Sequence, residues 1–309
     1  MEQKIVNRLP SKTWNWLKVN EAVLDWDNDR TTDLGAGFFA AGGEENEPIR
    51  VEIEGKGEYS YKAVNVTAKA GSRVTVYEIF RAEANLAVET RLTVRENATV
   101  RLIQVQATQP GSVLYNSVKG ECADGGRIEL TQVLVGRGDV YCDSGVELNG
   151  RQSGLKAAIG YLGRESQKLD MNLVVNHWGK NTESEIDASG ALRDEAKKIF
   201  RGTIDFKRGS SDSVGNEKET VLMLGENVVN KTVPLILCAE ENVVGNHGAT
   251  IGEMDDETLF YFESRGVDRE TAENMLARAA IERLAREIGD ERTKRVILSE
   301  LDGETEDDE

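Results

Sequence analysis

From Ile49 onward, hydrophobic and polar residues alternate with a period of two, as in IRVEIEG, RVTVYEIF, RLTVRENATVRLIQVQ, RIELTQVLV and KLDMNLVV. Such alternation puts successive side chains on opposite faces of a strand, and the Gly, Asn and Asp between segments mark turns. The segments also repeat. VTAKAGSRVTV (Val66–Val76) lies over LTVRENATVRL (Leu92–Leu102) at an offset of 26, and DGGRIEL (Asp124–Leu130) follows about 28 later. βαβ units would need helices of roughly 10 to 15 residues between the strands, and no such pattern intervenes, so strands stacked coil on coil explain the spacing better. The predicted fold is mainly β: a right-handed parallel β-helix over residues 46–253. Regularly spaced strands of a β-sandwich are the alternative arrangement.

The flanks read differently. Residues 1–45 are expected to form an N-terminal segment of helix and loop, with Trp14, Leu17 and Trp26 as anchors and GAGFFAAGG closing it. Past Gly252, EMDDETLFYFESRGV places acids where a helix N-terminus favours negative charge and ends in Gly266, a suitable left-handed terminator. A second helix is predicted from Asp268 as N-cap, with Ala272, Leu276, Ala280, Leu284 and Ile288 as its apolar stripe and Gly289 as its stop. The helical region spans 254–299. The remaining LDGETEDDE, 300–309, is an acidic run with little to bury and reads as a disordered, solvated tail.

Charge and composition narrow the function. The chain has 38 basic and 55 acidic residues among 309, a net charge of −17, so its long-range field repels nucleic acid and anionic membranes. No basic cluster among the aromatics offers a nucleic-acid stripe. The start lacks an apolar run of signal-peptide length, and nothing later approaches the roughly 18 apolar residues of a membrane span, so a cytoplasmic location is expected. Cys122, Cys142 and Cys238 show no CxxC spacing; they fit neither a disulfide framework nor a closed zinc site, and free thiols are expected. No GxxxxGK[ST] phosphate loop occurs, so any nucleotide chemistry must come from another chain and this one is read as a non-enzyme.

Three stretches between Phe200 and Val267 carry a family resemblance: FRGTIDF, then NEKETVLMLGENVVNKTVPLILCAEENVVGNHGATIG, then LFYFESRGV. In that order they resemble the shared core of the SufB and SufD scaffold proteins of the SUF iron–sulfur cluster assembly system. That family has a Y/F-R-G strand, a Pro-containing strand, an H-x-A-T stretch and L-F-Y-x-x-S/Q-R-G. Over residues 49–199 the likeness is architectural. The chain is shorter than typical members and looks most like the minimal type, which pairs one scaffold with one ATPase. The resemblance implies a scaffold on which a transient iron–sulfur cluster is assembled, a homodimer joined through the end of the β-helix, and a SufC-like ABC-type ATPase as partner. The C-terminal helical region would hold that ATPase, with Leu259, Phe260, Tyr261 and Arg265 as docking residues.

Cluster assembly needs soft thiolate, with imidazole or carboxylate as further ligands. His247, one of two histidines, matches the family's histidine before Ala-Thr and ranks first; a hydrogen-bonded structural histidine is its plainer role. Cys238 lies on the preceding strand with Glu240 and Glu241 just beyond, so a mixed site with His247 is chemically sensible, and Asn246 is a further candidate. The nine residues from Cys238 to His247 cover about a third of a solenoid coil, so the two need not touch within one chain, although a dimer interface could unite them. By alternation Cys238 shares a face with Ile236, and a small buried hydrophobe is its plainer role.

The chain also departs from the family. Where SufB has a functional cysteine ahead of T-V-P stands Val228; the glutamates flanking its histidine are Asn246 and Gly248; the SufD cysteine two residues before the histidine is Gly245. Cys122 and Cys142 are read as structural, with Cys142 also considered as a sulfur relay. His177 is read as packing against the neighbouring indole of Trp178. Two other functions compete: an adaptor that regulates an ABC ATPase without binding metal, and, remotely, a β-helix carbohydrate-active enzyme. The latter lacks a secretion signal, an aromatic platform and any matching motif.

Overall fold

The computed structural model describes residues 2–13, 15–43 and 47–303. Among these residues, sixteen strands alternate between two parallel sheets. The first sheet holds β3 (Thr31–Ala41), β5 (Tyr59–Ala68), β7 (Asn85–Val94), β9 (Val113–Cys122), β11 (Asp139–Leu148), β13 (Lys168–His177), β15 (Lys197–Phe206) and β17 (Val229–Cys238). The second holds β4 (Ile49–Glu54), β6 (Arg73–Arg81), β8 (Thr99–Gln106), β10 (Arg127–Leu134), β12 (Gly154–Gly163), β14 (Glu183–Arg193), β16 (Ser213–Leu224) and β18 (Val243–Glu253). Each coil contributes one strand to each sheet, which is the parallel β-solenoid that the repeat predicts. The 26-residue offset is the register itself: Val66 pairs with Leu92, and Val76 with Leu102. At the next step Thr99 pairs with Arg127.

The coils stack at their turns as well as in their strands. Asn97, Gln152, Asn181 and Asp212 have positive φ, and each donates its N–H to the turn of the next coil: Asn97 to Asp124 O (2.8 Å), Gln152 to Lys180 O (2.9 Å), Asn181 to Ser211 O (3.0 Å) and Asp212 to Asn242 O (2.7 Å). Asn and Asp tolerate the left-handed conformation, so a turn-forming residue recurs once per coil.

The core lies between the sheets. Columns such as Leu92, Val94, Val100, Leu102, Val118, Leu130, Val146, Leu173, Ile186 and Ile204 are fully buried there, each stabilising the fold by roughly 1.5–3 kcal/mol. Parts of the outer faces are also covered, which is why β8 buries every residue in its second half. On the second sheet, Tyr77, Ile79, Ile103, Val105, Val133, Leu162 and Ala191 pack beneath C-terminal helices.

Those helices are α1 (Asp256–Glu263), α2 (Arg269–Glu287) and α3 (Glu291–Asp302). Asp268 caps α2 as predicted, accepting from Thr271 N at 2.8 Å, and Gly266 has φ +78°. The buried stripe of α2 is Ala272, Ala277, Ile281, Leu284 and Ala285, not the strict four-residue series; Leu276 and Ala280 are half-buried. A step of four advances about 400° around a helix of 3.6 residues per turn, so repeated steps rotate off the face. The third helix runs into the segment read as tail: Leu301 is fully buried, whereas 304–309 lie outside the described residues. Its N-cap Asp290 also receives Arg50 at 2.8 Å, tying α3 to β4.

The N-terminal expectation needs correction. β1 (Glu2–Val6) and β2 (Ala22–Trp26) form an antiparallel pair, and only a three-residue 3-10 turn, Asn15–Leu17, is helical among the described residues there. The pair lies on the outer face of the first sheet, where Val6, Ala22, Leu24 and Trp26 meet Tyr59, Ala87 and Tyr141. Trp26 is thus an anchor, Leu17 is half-buried, and Trp14 lies outside the described residues. The solenoid begins earlier than expected, because GAGFFAA belongs to β3.

Candidate site at the open end of the solenoid

β17 and β18 are the last strands of their sheets, so each leaves one backbone edge unpaired. Cys238 closes β17 and His247 stands in the middle of β18; both are exposed. Register assigns both to inward-facing columns. Cys238 continues the column of His177 and Phe206, and His247 that of Glu217. The structure therefore places both residues at one mouth of the solenoid, on opposite sheets. Among the described residues no group of three or more His, Cys, Asp or Glu side chains is gathered to hold a metal ion.

The other candidates separate from this mouth. Glu240 is engaged in the turn beneath: its Oε2 accepts from Gly209 N (2.9 Å) and its Oε1 from Glu241 N (3.1 Å). These backbone bonds, Gly209 first, hold its carboxyl below the usual range. Glu241 is exposed. Asn246 faces outward and donates to Asn216 Oδ1 at 2.9 Å, so it cannot share a centre with the inward-facing His247.

Directly under the mouth lies a buried polar group that sequence reading did not single out. Lys198, on β15, forms an ion pair with Glu219, on β16; both are fully enclosed. Glu219 also receives Thr232 Oγ1 (2.6 Å) and Tyr161 OH (3.4 Å). Burial pushes the Lys198 ammonium down and the Tyr161 phenol well up. Glu217 lies beside this pair, 5% exposed, and burial aided by the Glu219 charge raises its pKa to about 7 against the opposing pull of Lys198. Its Oε2 has no hydrogen-bond partner among the described residues, an omission that costs on the order of 1–3 kcal/mol. Space for this carboxylate comes from Gly202 of the FRG motif: a Cβ there would lie 2.4 Å from the carboxyl atoms. The only advance signal was alternation, which puts Glu217 and Glu219 on the face of Val221.

The other two cysteines and the second histidine are enclosed in the solenoid. Cys122 and Cys142 are buried in the core and burial pushes both thiols up to about 12, which disfavours the thiolate that a sulfur relay needs. His177 does not pack on Trp178. Its ring is buried between Thr182 Oγ1 (2.7 Å) and Ser184 Oγ (2.9 Å) and tilts over Phe206, while Trp178 faces outward, donates to Glu147 and stacks with Lys207. A second interior network joins Glu78, Gln104, Gln132 and Asn116 nearer the start of the solenoid. A surface hollow of about 610 Å³ on the first sheet, edged by Arg8, Arg91, Lys119 and Asn176, holds neither cysteine nor histidine.

At the side of the molecule, α1 exposes Phe260 (71%) and Tyr261 (53%), with the Arg265 guanidinium 3.8 Å over the Tyr261 ring; Leu259 is half-buried. No helix among the described residues is long and apolar enough to cross a membrane.

The SufD iron–sulfur cluster assembly protein of Bacillus subtilis is 26% identical over 208 residues, 67% of this chain and 48% of that protein. SufD of Escherichia coli is 24% identical over 168 residues, 54% of this chain and 40% of its own length. A SufBD-family iron–sulfur cluster assembly protein of Mycobacterium leprae is 23% identical over 248 residues, 78% of this chain and 28% of that protein. The chain thus spans about half or less of the length of these relatives. Residues 51–280, from β4 through most of α2, match the SUF system FeS cluster assembly SufBD core domain, and the chain belongs to that family.

Proposed function

We propose that this chain is a scaffold subunit for iron–sulfur cluster assembly that works as a homodimer with a separate SufC-like ABC-type ATPase. The observation that carries the reading is the open end of the solenoid, where the unpaired edges of β17 and β18 bring Cys238 and His247 to one mouth. Val244 (52%) and Ile251 (49%) are exposed on the β18 edge, and an apolar, unpaired edge of this kind favours pairing with a second strand. Joined edge to edge, two copies would double the thiolate and imidazole at the junction, adding ligands to those at the mouth of each chain. Glu240 and Glu241 at the rim are the nearest carboxylates in sequence to Cys238. The cluster is cargo, built and released, and needs no closed resident site.

The exposed aromatic face of α1, with Phe260, Tyr261 and Arg265 beside half-buried Leu259, is suited to receive the ATPase, with binding energy concentrated in its aromatic and arginine groups. Closure of the ATPase subunits would pull the helical ends and open the junction, exposing Cys238 and His247. This work, and the ATP hydrolysis behind it, is assigned to the cytoplasm and to the partner chain.

Anaerobic reconstitution with iron and sulfide, with and without the ATPase, tests the reading. Wild type should acquire iron and the visible and Mössbauer features of a cluster, and Cys238→Ala and His247→Ala should lose them. That the described residues of one chain gather no group of three or more His, Cys, Asp or Glu side chains favours a second reading, an adaptor that regulates the ATPase without metal; stoichiometric ATPase binding with no iron in any form would establish it instead.

A further inference from the structure

We propose that Glu217 is a positioning residue for His247: its carboxylate accepts the imidazole N–H on the interior side and turns the other ring nitrogen out of the solenoid mouth. This inference rests on the reading of His247 as a ligand of the assembling cluster and adds a residue to the same site.

The two are in-register neighbours on β16 and β18. In-register side chains on parallel strands leave the sheet on the same face, one strand spacing of about 4.8 Å apart. β18 is the edge strand, so the row that holds His247 continues within the chain only downward, to Glu217. That carboxylate is enclosed, and its Oε2 lacks a donor among the described residues. The neighbouring cations and hydroxyls are already engaged elsewhere. Lys198 pairs with Glu219 and donates to Thr232, while Thr232 and Tyr161 both donate to Glu219. The imidazole N–H above is the donor that the row itself offers.

Carboxylates that receive the second N–H of a metal-binding histidine select its tautomer and raise the basicity of the liganding nitrogen. In sequence His247 is flanked by Asn246 and Gly248, neither of which can serve. The strand below brings the carboxylate instead, and Gly202 keeps the space in which it sits.

Nitrogen-15 NMR of the histidines in the purified full chain tests this. There are only two imidazoles to assign, and buried His177, bonded to Thr182 and Ser184, is the internal reference. At a pH where His247 is neutral, wild type should show one predominant His247 tautomer. Glu217→Gln should mix the tautomers and weaken Co(II) binding, read from its visible ligand-field absorption, by about 10–100-fold, with the His177 shifts unchanged. Glu217→Asp, which keeps the charge but withdraws the carboxylate by one methylene, should do the same and serves if the first variant folds poorly. Unchanged His247 shifts in both variants would overturn the proposal, as would Co(II) binding that depends on His247 but not on Glu217. A tautomer change in a chain whose wild type takes up no iron on reconstitution would uphold Glu217 as the positioning group and sink the scaffold reading.

Discussion

Arg201 Nη1 and Asp170 Oδ1 meet at 2.5 Å on the outer face of the first sheet, and both side chains are shut away from solvent beneath the N-terminal segment. Asn7 Nδ2 donates to the same carboxylate oxygen at 2.6 Å, and Arg201 Nε donates to Val19 O. The arginine of the FRG motif thus pins the N-terminal strands to the solenoid, while the next residue, Gly202, faces the interior and makes room for Glu217. One tripeptide serves both faces of β15.

Arg201→Met should destabilise the chain by about 3–5 kcal/mol in urea unfolding, because it leaves Asp170 charged and buried. Arg201→Met combined with Asp170→Leu should recover much of that loss, since neither charge then remains. Hydrogen exchange in β1 and β2 should quicken in the single variant ahead of exchange in the core strands. Equal stability of the single variant and wild type would mean that the pair does not hold the segment.

Gly202→Ala places a Cβ where the Glu217 carboxylate sits, and overpacking of this kind costs typically 1–3 kcal/mol. The same substitution made on a Glu217→Ala background should cost much less. The measured quantity is the coupling in a double-mutant cycle of denaturation free energies; additive effects would show that the two residues do not compete for that space.

Glu78 is completely buried, and burial raises its pKa to about 7 despite hydrogen bonds from Gln104 and Thr90. Because the folded value exceeds the ordinary value of 4.5, the folded state binds the extra proton. Its contribution is fully present below pH 4.5 and is lost as pH rises through 7. Replacement by Gln should remove this dependence, so the stability of Glu78→Gln relative to wild type should rise across that window by up to about 3 kcal/mol. Parallel stability-versus-pH curves for the two proteins would refute the assignment.

Cys238 is exposed, whereas burial holds the Cys122 and Cys142 thiols up at about 12. The folded chain should therefore titrate one thiol rapidly with Ellman's reagent and all three after denaturation. Cys238→Ser should abolish the rapid phase. A second rapid thiol in the native protein would contradict the packing of the core.

Much of this architecture was legible in the sequence because a parallel solenoid imposes its geometry residue by residue. Period-two alternation records which side of each sheet a side chain occupies, and coils that pair in register must repeat at nearly one coil's length, as Val66 and Leu92 do. Caps were equally local: Asp268 and Thr271 lie within one turn of each other. The N-terminal strands were not legible in this way. Pairing β1 with β2 and burying Trp26 against Tyr59 depend on a sheet surface assembled from distant coils, and the short run AVLDW carries no sign of it.

By itself, then, the sequence determined the strands from Ile49 onward, the repeat, the two helix starts after Gly252 and the family motifs that single out His247. Only the tertiary structure decided what stands next to what at the open end. The coil lengthens along the chain, from a 26-residue offset between Val66 and Leu92 to 30 between Glu217 and His247, so no fixed repeat could place Glu217 beneath the histidine. Alternation assigned Cys238 and His247 to faces of their strands; that both strands end their sheets, leaving the two side chains exposed at one mouth, follows from how many coils stack and where the chain turns away into helices.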